Sequence, residues 1–156
     1  MPKSYVVHCK KDKYDIYCGR PTVWGNSFEI GKDGDRDEVI KKYERWIICG
    51  DGQYLLKDIG KLKGKILACW CNPNPCHCDI LHLLSYLFNP KTELYSDAHL
   101  YYNYYLEGFV SCFNNKIEED NPYLFKDDGE SEESYYWING HWDCANYLNY
   151  RKGLYR

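Results

Sequence analysis

The stretch ILACWCNPNPCHCD, residues 66–79, sets four cysteines and a histidine within ten positions around an Asn-Pro-Asn-Pro turn. Three chemistries are open to it. Thiolates and imidazole are zinc ligands, and a closed tetrahedral site takes four of them. Cys69 and Cys71 alternate along an extended run, which turns both thiols to one face. Cys76 and Cys78 lie across the turn, so a zinc site would be Cys69, Cys71, Cys76 and Cys78. The spacing C-x-C-x4-C-H-C-x3-H matches no common C-x2-C knuckle, and no metal is favoured at this level. A second chemistry is nucleophilic or acid–base. A thiol at a helix N-terminus has its thiolate stabilised below the usual ~8.5, which marks Cys76. His77 exchanges a proton near neutral pH. Asp79 is either a first-turn acid complementing the helix dipole or a general base. The third reading is bland: buried thiols beside a ligand loop.

A second polar motif, GRPTVWGNSF at 19–28, follows a strand-like run. Arg20 brings a forked donor suited to phosphate or carboxylate. Trp24 offers a flat face, and Gly25 permits close backbone approach. Asn26 carries donor and acceptor on one amide. Trp70 joins these as a ligand-binding residue. Singly, Arg20 could pair with an acid, Trp24 could be core, and Asn26 could sit in a turn. Side by side with the Cys–His tip they would form an anion-plus-aromatic pocket. Such a pocket suits a nucleotide or a ribose-phosphate derivative. No G-x-x-x-x-G-K-[ST], G-x-G-x-x-G, G-x-S-x-G or H-E-x-x-H pattern is present, nor a Cys-x5-Arg loop.

The elements that must position these residues are legible in outline. SYVVHC (4–9) and YDIYCG (14–19) read as strands about a charged turn. Asp35 with Glu38 opens a helix carrying Val39, Ile40, Tyr43, Trp46 and Ile47 at helical spacing. YLLKDIGKL (54–62) reads as a short helix, GKILACWC (64–71) as a buried strand, and Cys76 or Asp79 as the start of a third helix. The order predicts an α/β fold: one compact domain with a small mixed sheet flanked by helices. Residues 1–90 form the α/β domain and 91–156 a Tyr-rich, acidic C-terminal extension packed on it. Within the extension, 96–113 reads as a helix capped by Ser96 or Asp97. Segment 114–134, with eight acids, reads as a solvated loop.

Composition bounds the remainder. Nine cysteines with no apolar leader segment favour free thiols or metal ligands over a disulfide framework. No run approaches the ~20 apolar residues of a membrane helix, so a soluble, cytoplasmic protein without a membrane partner is expected. A net charge of −3 argues against a partner of extended duplex nucleic acid.

The two motifs together resemble the domain-of-unknown-function family 4326, found in bacteria, phages, fungi and large DNA viruses. Its pattern is a Gly-Arg…Trp-Gly-Asn-Pro-Phe loop, a helix, then Cys-Trp-Cys…Pro…Cys-His-Gly-Asp. The resemblance covers residues 5–88, with Ser27 in place of the proline and Cys78 in place of the glycine. It implies the fold more than an activity. The leading expectation is recognition of a nucleotide- or ribose-phosphate-derived ligand, hydrolytic at a phosphate or N-glycosidic centre if Cys76, His77 and Asp79 are catalytic. Two alternatives stand beside it: a non-catalytic nucleotide-sequestering protein of viral or phage origin, active in host cytoplasm, and a zinc-stabilised interaction module.

Overall fold

Three short apolar runs meet as a sheet of β1 (Val6–His8), β2 (Ile16–Tyr17) and β3 (Leu67–Cys69). The structure, a computed structural model, describes residues 5–90, 98–115 and 132–153. β3 lies between the other two and runs parallel to both. Val6 faces Leu67 on one side and Ile16 faces Leu67 on the other. The α/β class is as expected, but the sheet is parallel throughout instead of mixed. The charged turn does not fold β1 back on β2, because each strand pairs with the fully buried Leu67-Ala68-Cys69 run. A strand buried on both faces is the usual centre of a parallel sheet. Asp15 sets the register of β2: its side chain accepts from the Ile66 N–H at 2.8 Å, and the Ile16 N–H donates to the Ile66 carbonyl at 3.1 Å.

Helix α1 (Arg36–Cys49) begins with the expected capping box. The Asp35 side chain accepts from the Glu38 N–H, and the Glu38 side chain accepts from the Asp35 N–H. Each bond satisfies a donor the helix start would leave unpaired. Val39, Ile40, Tyr43, Ile47 and Ile48 form its buried stripe. The next segment, Gln53–Leu62, winds as a 3-10 helix that buries Leu55, Leu56, Ile59 and Leu62. Helix α2 (His77–Leu87) starts at the cysteine-rich tip and buries Ile80, Leu81 and Leu84.

The chain divides into two units, Met1–Tyr86 with Arg151–Arg156, and Leu87–Tyr150. The second is built on α3 (Ala98–Phe113) and α4 (Glu132–Arg151). Its buried side chains include Tyr105, Phe109, Trp137, Cys144 and Tyr147. The two helices cross backbone to backbone: a Cβ on Gly108 would lie 1.9 Å from the Trp137 carbonyl oxygen, and one on Gly140 1.9 Å from that of Tyr105. The Tyr105 hydroxyl accepts from the Asn89 N–H at 2.8 Å and donates to Asp143 at 2.6 Å. The acidic stretch 116–131 and the caps Ser96 and Asp97 lie outside the described residues. Among the described residues no helix is long and apolar enough to cross a membrane.

Candidate functional site

The loop after β2, the start of α1 and the tip of α2 converge on one cavity of about 530 Å³ within the first unit. The loop contributes Arg20, Asn26 and Glu29; α1 contributes Arg36, Val39 and Ile40. The end of β3 and the α2 tip contribute Cys69, Trp70, Cys71, Cys76 and His77. The two sequence motifs therefore share a wall-to-wall space, formed because parallel β2 and β3 end on the same side of the sheet.

Their side chains are not equally available. Arg20 is exposed and meets Glu29 at 3.4 Å, a surface pair of the kind worth little in water. Asn26 lines the cavity, yet both ends of its amide are taken. Its Nδ2 donates to the Val39 carbonyl at 3.1 Å and its Oδ1 accepts from the Phe28 N–H at 2.9 Å. It fastens the loop to α1. Gly25 allows close approach of the chain itself, since a Cβ there would lie 3.0 Å from the Arg20 nitrogen. Trp24 is half-buried and outside the cavity lining, with its carbonyl accepting from the Tyr43 hydroxyl at 2.8 Å. The aromatic surface on the cavity comes instead from Tyr17, Phe28 and Trp70. Trp70 is 58% exposed, and its indole N–H donates to the Tyr17 hydroxyl at 3.0 Å. Lys10 sits over its ring at 5.3 Å.

Arg36 was not singled out from sequence. It is the first residue of α1, half-buried, and reaches the Pro75 carbonyl at 3.3 Å just before the α2 tip. The only sequence signal for it was its place directly after the Asp35 cap.

The α2 tip is ordered by its own side chains. Asp79 accepts from the Cys76 N–H at 2.8 Å, the bond a third-position acid makes to a helix cap. Burial pushes the Asp79 carboxyl up, against the opposing pull of that N–H. Asp79 does not line the cavity. His77 is buried, with Nε2 donating to the Cys18 carbonyl at 2.7 Å and its ring edge-on to Tyr43.

All nine cysteines are free thiols. Cys18, Cys69, Cys76 and Cys78 are buried, and Cys71 is half-buried. Hydrogen bonds from Cys71, then Cys76 and Cys78, hold the Cys69 thiol far below its ordinary range. The same contact with Cys69 pushes Cys71 up, and contacts with Cys18, Cys69 and Cys76 push Cys78 up. Ligand atoms of Cys69, Cys76, His77 and Cys78 all lie within 4.8 Å of one another, so these four could hold a metal ion. His77 thus takes the place that spacing gave to Cys71. The reason is the length of β3: it ends at Cys69, so the alternation of an extended strand does not reach Cys71.

Comparison with known proteins agrees with this first unit. The chain is 36% identical over 93 residues to an uncharacterized 12.4 kDa protein of the nrdA-td intergenic region of Enterobacteria phage T4, covering 57% of this chain and 84% of that protein. It is 32% identical over 88 residues to uncharacterized protein R718 of Acanthamoeba polyphaga mimivirus, covering 46% of this chain and 65% of that one. No solved structure matches. Residues 7–85, half of the chain and nearly all of the cavity-bearing unit, match a domain of unknown function, and on that match the chain belongs to the DUF4326 family.

Proposed function

We propose that the chain recognises a small anionic ligand of the nucleotide or ribose-phosphate kind in the Arg20–Arg36–Trp70 cavity, and binds it without turning it over. One observation carries this reading: Arg20 and Arg36 line a single cavity of about 530 Å³ together with the rings of Tyr17, Phe28 and Trp70. That volume falls in the range of about 300–1,000 Å³ common for small-ligand sites. Guanidinium forks take phosphate through paired charged hydrogen bonds. An exposed indole face stacks on a base whatever its sequence. Binding is favoured over hydrolysis because the acid–base groups are engaged elsewhere, Asp79 with the Cys76 N–H and His77 with the Cys18 carbonyl. The relatives belong to a phage and a large virus, and the reading includes a sequestering role in host cytoplasm.

Calorimetric titration of AMP, ADP and ADP-ribose is expected to give saturable binding to at least one of them. Arg36→Ala is expected to weaken it about tenfold or more, since a hydrogen bond to a charged group contributes about 1.5–3 kcal/mol. Failure of all three ligands to bind overturns the reading. Conversion of a bound ligand to product, lost in Asp79→Asn, replaces it with turnover.

A second reading, a zinc-stabilised interaction module, is favoured by the Cys69–Cys76–His77–Cys78 group. Zinc there would tie the end of β3 to the start of α2. Elemental analysis of the purified chain checks it, with about one zinc per chain expected of a single tetrahedral site.

A further inference from the structure

Six side chains compete for what would be four positions around a tetrahedral ion: five thiols and the His77 imidazole. Three observations sort them. Only Cys69, Cys76, His77 and Cys78 bring ligand atoms within 4.8 Å of one another, and all four are buried. Zinc–sulfur bonds of about 2.3 Å and zinc–nitrogen bonds of about 2.0–2.1 Å put tetrahedral ligand atoms about 3.5–3.8 Å apart, a short contraction from the spacing present. Cys71 touches Cys69 but lies beyond the end of β3, is half-buried, and falls outside the group whose ligand atoms all meet. The Cys18 thiol touches Cys78 but also donates to the Ile16 carbonyl at 3.9 Å, while the Cys18 carbonyl holds the His77 ring. With Nε2 donating to that carbonyl, Nδ1 is the ring nitrogen that would meet an ion.

We infer that Cys69, Cys76, His77 and Cys78 are the complete ligand set of a structural zinc ion, with Cys18 and Cys71 outside it. The assignment rests on the zinc-stabilised reading and deepens it by excluding Cys18 and Cys71 and by closing the ion to any fifth ligand. Binding displaces up to three thiol protons to solvent and leaves three thiolates and a neutral imidazole on the ion, with no change of oxidation state. The ion and three thiolates carry one net negative charge, placed at the N-terminus of α2 where the helix dipole favours it. The positive end of that helix then serves the thiolates, and a ligand anion in the cavity is left to Arg20 and Arg36. Four protein ligands leave no open position for water or substrate, so the ion braces the fold and takes no part in chemistry.

X-ray absorption at the zinc edge of the full wild-type chain, purified from zinc-supplemented medium, tests the set without any variant. Three sulfurs and one nitrogen are expected. Four sulfurs would overturn the ligand set while leaving the zinc-stabilised reading in place. Cys71→Ser and Cys18→Ser are expected to keep about one zinc per chain, and Cys78→Ser to lose it. Zinc kept in Cys78→Ser, or lost in Cys71→Ser, overturns the assignment. No zinc in the wild-type chain overturns both it and the reading it rests on.

Discussion

In the first unit a buried cluster at the α2 tip is made of Cys69, Cys76, His77 and Cys78, whereas the second unit buries the rings of Tyr105, Phe109, Trp137 and Tyr147. Buried thiols and imidazole contribute less packing area than large rings but can hold a proton or an ion. Buried rings contribute large contact area and edge-to-face geometry, with little chemistry. Phe88, for example, meets Tyr105 and Phe109 edge-on at 5.2 Å each. The contrast teaches that the first unit adds a cluster of titratable side chains to its aliphatic core, while the second packs on rings. The family match stops at residue 85, just before the aromatic unit begins at Leu87.

Substitutions can break or sharpen the contrast. The largest effect is expected from Phe109→Ala in the ring cluster. Phe109 is fully buried, and truncation of such a ring costs about 3–5 kcal/mol. Chemical denaturation followed by near-ultraviolet circular dichroism should show the loss; a change under about 1 kcal/mol would mean that the rings are not the source of stability. A smaller loss, about 1–3 kcal/mol as for other overpacked sites, is expected from Gly140→Ala. There the added methyl meets the Tyr105 carbonyl, which is backbone and cannot swing aside. Unchanged stability in the same assay would show that α3 and α4 do not cross as closely as described. The smallest effect belongs to the first unit. Asp79→Ala should cost about 1 kcal/mol through the lost cap, while Asp79→Asn should cost less, because its amide oxygen still accepts from the Cys76 N–H. Equal losses in the two variants, read from denaturation midpoints, would show that the charge and not the cap matters.

Legibility in the sequence followed the range of the interactions. The Asp35–Glu38 capping box and the Val39–Tyr43–Ile47 stripe were visible because both are settled within one or two helical turns. The order of the sheet was not, since β1 and β2 are three and two residues long and their partner, β3, lies far along the chain, Val6 facing Leu67 and Ile16 facing the same residue. The proximity of the Arg20 loop to the cysteine tip was anticipated from motif types. The commitments of individual side chains were hidden. Nothing in the letters tells that the Asn26 amide is spent on Val39 and Phe28, or that Trp24 turns from the cavity while Trp70 lines it. That His77 and not Cys71 joins the group able to hold an ion depended on where a three-residue strand stops, and element ends are the least legible feature of a sequence.

The bond from the Trp70 indole to the Tyr17 hydroxyl has an experimental consequence. It pins a solvent-facing fluorophore at the rim of the hollow in one orientation. With the other four tryptophans replaced by phenylalanine, emission from this single indole becomes an optical gauge of whatever enters, readable without any attached dye.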